Sequence, residues 1–178
     1  MKVGNHAGES WEQILHRKRR ELKDAGMSFW GYGGAACHPI SQVQPFAKLA
    51  IEEQGIIRLI MQPIKSNADQ DTAEATEYSI DGRNWIKIPN GIHVTGSSYA
   101  LVLESIEEAD LDLPLNALEV GIGPSLGKPA ENYLQGRTDK GCLVQSATAR
   151  AANENSVRKA GFVADLKEPF GVLLRRGK

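Results

Sequence analysis

Cys37 stands directly before His38, and His93 is the last of the chain's 4 histidines. A thiol nucleophile needs a base within hydrogen-bond reach. Adjacent residues of an extended chain point to opposite sides, so His38 is poorly placed to serve Cys37. His93 would have to be brought in by the fold, and cysteine is among the most buried residue types. Cys37 and His93 are therefore only weak catalytic candidates. His6, His16, His38 and His93 show no paired ligand spacing and the chain has no C-x-x-C, so no metal site and no cofactor are expected. Glu107-Glu108 and Asp110 with Asp112 are acids of a surface-like stretch and are read as solvated.

Anion chemistry has better material in Val120-Gly121-Ile122-Gly123-Pro124-Ser125-Leu126-Gly127-Lys128. A phosphate-cradling P-loop needs four residues between its first glycine and the Gly-Lys pair, then Ser or Thr. Gly121 leaves five and Gly123 leaves three, and Pro129 stands where the hydroxyl belongs. Gly123 to Gly127 also matches the G-x-S-x-G nucleophile elbow, but that machinery requires a histidine later in the chain, and His93 precedes Ser125. Both readings fail. What survives beside a plain turn is an anion-binding loop, in which exposed amides around Gly123 and Ser125 act with Lys128, Arg137 and Lys140.

Flat-ring chemistry has a candidate in Phe29-Trp30-Gly31-Tyr32-Gly33-Gly34. Glycines let the backbone approach a ligand closely, and aromatic faces stack on nucleobases. Against this, large aromatics usually plug a core. Trp30 and Tyr32 are the pocket candidates, with His38 at the segment's end. The basic run His16-Arg17-Lys18-Arg19-Arg20 is spread around its helix and is mostly a solvated face. Arg17 and Arg20 are secondary contacts for a phosphate.

Several elements must position these residues. Ser10-Trp11-Glu12-Gln13 has the form of a capping box, and Trp11, Ile14, Leu15, Leu22 and Ala25 share one face, so a helix is predicted over about 10–25, ended by Gly26. A second helix is predicted from Pro45 to Gly55. Strands are read at 56–61, 76–80, 84–88, 92–94, 99–103 and 117–121. Residues 66–75 read as a loop, 104–112 as a solvated edge, 129–135 as a short helix and 143–160 as helix-compatible. Residues 162–166 and 172–174 read as a closing hairpin around Lys167–Gly171. The order predicts an α+β fold: a mostly antiparallel sheet with two or more helices packed on one side, in a single domain of 1–178 with 1–25 peripheral.

Composition bounds the partners. Formal net charge is −1, which argues against general nucleic-acid binding. No apolar run approaches membrane-spanning length and no apolar leader follows Met1, so a cytoplasmic protein with reduced thiols is expected. The basic run and the acidic stretches complement one another, which allows a homo-oligomer. Asp81-Gly82-Arg83-Asn84-Trp85 resembles the short aspartate-box turns of many β proteins, a common hairpin solution that carries no function here.

The sequence is thus read as a non-enzymatic binding protein for a small anionic ligand, a nucleotide or nucleotide-derived signal in the first instance. A small hydrolase or transferase using Cys37 or acidic residues is one alternative. A protein-interaction or inhibitor module acting through charged patches is the other.

Overall fold

The computed structural model describes residues 1–4, 9–33, 38–65, 73–135, 138–154 and 156–176. Cys37, Arg137 and most of the polar stretch at 66–75 lie outside the described residues.

The short strand β1 (Lys2–Val3) is followed by helix α1 (Trp11–Ala25). The Ser10 side chain accepts from the Gln13 amide, and Gln13 reaches back to the Ser10 amide, so the capping box forms as its residues predict. Gly26 closes the helix at φ 68°. Strand β2 (Ser28–Gly31) leads to α2 (Ile40–Gln54). That helix begins one turn before Pro45, with Pro39 as its N-cap and Pro45 inside it. The predicted start was wrong because Pro39, not Pro45, fixes the entry, and Ile40 and Gln44 are needed to pack on Gly171.

Next come β3 (Arg58–Pro63), β4 (Ala75–Ser79), β5 (Ile86–Lys87), β6 (Tyr99–Leu103), β7 (Glu107–Pro114), β8 (Leu118–Val120), the short helix α3 (Ala130–Tyr133), β9 (Leu143–Gln145) and β10 (Val157–Arg176). β10 is the spine. It pairs antiparallel with β3, β4, β6 and β7, while β2 pairs antiparallel with β6. β1 joins β3 in parallel. The fold is therefore α+β with a mostly antiparallel sheet.

Two expectations are corrected here. Lys167–Gly171 is not a hairpin turn. β10 runs through it, with Leu166 opposite Leu103 and Gly171 opposite Leu101 across a bulge. Gln44 Nε2 of α2 donates 2.7 Å to the Gly171 carbonyl, so the bulge is satisfied from outside the sheet. The stretch 143–160 is not helical, because β9 pairs with β8 and Val157 already belongs to β10. The stretch 104–112 is a solvated edge as expected: most of it is β7, paired to β10 and exposed along its acids.

Pleat alternation divides the burial. Trp30, Tyr32, Leu101, Leu103, Phe162 and Leu166 form one core with Ile14 and Leu15 of α1 and Val43 and Ala47 of α2, so both helices cover the same face. Trp11 stacks on Phe162 with ring centroids 4.4 Å apart. Phe29, Ala100, Val102 and Val172 form a second cluster with Ile92 and Val94. Ile92–Val94 is not a strand; only the neighbouring Thr95 makes a bridge, to Glu74. Among the described residues no helix is long and apolar enough to cross a membrane.

Candidate functional site

Between β2, α1 and the segment 93–97 lies a cavity of about 420 Å³, within the size range of small-molecule sites. Trp30, Arg17, Lys18, His93, Ser97 and Lys140 are among its walls.

Local sequence explains why the two walls sit so close. A Cβ on Gly31 would lie 2.6 Å from Ser97 Oγ, and one on Gly33 would lie 2.7 Å from the Tyr99 amide nitrogen. The glycines of the aromatic segment thus let β2 approach the chain at 97–99. Trp30, only 6% exposed, lines the cavity, and its indole N–H donates 3.2 Å to Met1 Sδ. Tyr32, two residues on, has its ring buried in the same core as Trp30, beside Tyr99 at 5.8 Å between centroids. The Tyr32 carbonyl accepts 3.0 Å from Lys140 Nζ, which also stands 5.5 Å from the Tyr32 ring centroid.

The floor is an ionic cluster carried by α1. Lys18 Nζ donates to Glu21 Oε2 (2.8 Å), to the Phe29 carbonyl (2.6 Å) and to the His93 carbonyl (2.8 Å). Those bonds use all three ammonium donors. Glu21 also accepts from Arg17 Nη1 (3.0 Å), the His93 amide (3.1 Å) and Ser28 Oγ (2.5 Å). Arg17 holds Glu9 with two further bonds and donates 3.1 Å to the His93 carbonyl. Burial pushes the Lys18 amine down to about 8, against the pull of Glu21. Such a pair is tolerable inside a protein only when fully hydrogen-bonded, which this one is.

His93 is consequently held at both backbone polar groups by α1 side chains. Its ring is held too: Nδ1 lies 2.5 Å from Glu74 Oε1. A carboxylate offers only acceptors, so the proton of that bond sits on Nδ1.

No family model, curated protein or solved structure matches the chain.

The cavity's own chemistry therefore carries the reading. The structure brings together Trp30, Lys140, Arg17 and His93, but it keeps the glycine loop out of this cavity. Gly123 packs against His38 and Gln42 instead. His38 is buried, its ring stacks on Tyr133 at 6.2 Å, and desolvation lowers its pKa. Amides on either side of Gly123 and Ser125 are turned inward. Those of Val120, Gly121, Leu126, Gly127 and Lys128 all donate to backbone carbonyls within the loop or to Cys142. Ser125 is half-buried and Lys128 exposed. Arg20 is exposed on the outer face of α1. Arg17 lines the cavity with its guanidinium committed to Glu9, Glu21 and His93.

Lys18, Glu21 and Glu74 were not picked out from the sequence as site residues. A signal existed for two of them. Lys18 and Glu21 fall in line with Ile14, Leu15 and Leu22, so an acid and a base interrupt an apolar helical stripe three residues apart. Nothing local marks Glu74.

Proposed function

We propose that the protein binds a small anionic ligand carrying a flat ring, of the nucleotide class, in the cavity between β2 and residues 93–97. One observation carries the reading: Trp30 and Lys140 both line this cavity. Lys140 donates one bond, to a backbone carbonyl, and makes no ion pair among the described residues. An ammonium with donors to spare is a point charge suited to phosphate. Trp30, although largely buried, gives the wall an aromatic edge against which a flat ring could pack. Binding is all that this reading asks of the chain.

The test is thermal unfolding of the pure protein against mono-, di- and cyclic nucleotides. A ligand held by the native state raises the melting temperature in a concentration-dependent way. Lys140→Gln should abolish that rise while lowering the ligand-free melting temperature only by what the bond to the Tyr32 carbonyl contributes. If no nucleotide moves the transition, the reading fails.

A further inference from the structure

The way His93 is held goes beyond what ligand binding needs. Its amide donates to buried Glu21, its carbonyl accepts from buried Lys18 and from Arg17, and its ring Nδ1 is engaged by Glu74. Four side chains, three on α1 and one just before β4, converge on one residue at the wall of the cavity that contains Trp30 and Lys140. A carboxylate on Nδ1 fixes the tautomer and leaves Nε2 as the basic atom, the arrangement by which a histidine is prepared for proton transfer. The backbone bonds fix where the side chain starts and the Glu74 bond orients the ring, and proton transfer requires such positioning.

We infer that His93 is a general base that activates water against a phosphodiester held in this cavity, with Glu74, Lys18 and Glu21 as positioning residues. The inference rests on the anionic-ligand reading above. Nε2 takes a proton from water as the water oxygen bonds to phosphorus. The P–O bond to the leaving alkoxide breaks with its electron pair, and the imidazolium returns the proton to that oxygen. The products are a phosphomonoester and an alcohol, and only water is consumed. Lys140 faces the charge on the phosphoryl oxygens.

The experiment incubates the full chain with 3′,5′-cyclic AMP and with bis(4-nitrophenyl) phosphate and follows product by chromatography and absorbance. The thermal shift with cyclic AMP is recorded alongside. Hydrolysis is expected, falling by about 10²–10⁴-fold in His93→Ala, the usual contribution of a general base. The backbone clamp survives that substitution, so the variant should fold. Free imidazole should restore part of its rate, which a purely structural role could not produce. Glu74→Gln should lower kcat with KM unchanged, by less than His93→Ala. Binding without hydrolysis by the wild type would overturn the inference and leave the binding reading intact. Hydrolysis that His93→Ala leaves untouched would also overturn it. Neither binding nor hydrolysis would remove both.

Discussion

The ammonium of Lys18 donates 2.8 Å to the carbonyl of His93, 75 residues along the chain, while its other bonds reach Glu21 and the Phe29 carbonyl. One side chain on α1 therefore ties β2 to the segment beyond β5, the two walls of the cavity. The pair of charges beneath that link is buried and internally satisfied, and it makes the link sensitive to any single removal.

Lys18→Met should destabilise the fold by about 3–5 kcal/mol, because it strands part of the Glu21 carboxylate in the interior. Lys23→Met, on the exposed face of the same helix, should change stability by no more than about 0.5 kcal/mol. Urea unfolding of both variants checks the contrast.

Stability should also carry a pH signature of Lys18. Its folded-state pKa is lowered to about 8 from the ordinary 10.5. Between those values the unfolded chain binds more protons than the folded one, so this group's contribution rises with pH. It is complete above the unfolded value and lost as pH falls through about 8. Wild type should gain on Lys18→Met across that window with a slope of at most about 1.4 kcal/mol per pH unit, read from urea midpoints at pH 7.5 to 10.

Gly33→Ala and Gly31→Ala should differ. At Gly33 the new methyl meets the Tyr99 backbone, which cannot rotate away, and a loss of about 1–3 kcal/mol is expected. At Gly31 its nearest neighbour is the Ser97 hydroxyl, which can turn aside. The loss should be smaller there, and calorimetric melting of the two variants would show it.

Gln44→Ala should cost about 1 kcal/mol through the bond to the Gly171 carbonyl. Amide exchange in β10 should accelerate around Gly171 more than at Phe162. Equal acceleration along the strand would show that α2 does not specifically brace the bulge.

What the chain declared locally, it declared well. Ser10 and Gln13 start α1, Gly26 and Gly55 end the two long helices at positive φ, and the apolar run Tyr99–Leu103 is a strand buried on both faces. Caps, turns and apolar runs are legible because their energetics involve residues a few positions apart. The order of elements was likewise enough to give the α+β class.

Pairing and the site were decided elsewhere. Lys167–Gly171 has the composition of a turn, yet β6 accepts the strand on both sides of it and α2 satisfies the freed carbonyl, so β10 passes straight through. The glycines at 31 and 33 are needed for backbone approach, but what approaches is the chain at 97–99. In the glycine loop the amides of Gly121, Leu126, Gly127 and Lys128 are spent on backbone carbonyls. Lys18, Glu21 and Glu74 acquire their roles only because the fold sets the His93 peptide among them. A long-range hydrogen bond leaves no periodicity in the sequence: its partners are chosen by the tertiary arrangement, after local preferences have already been met.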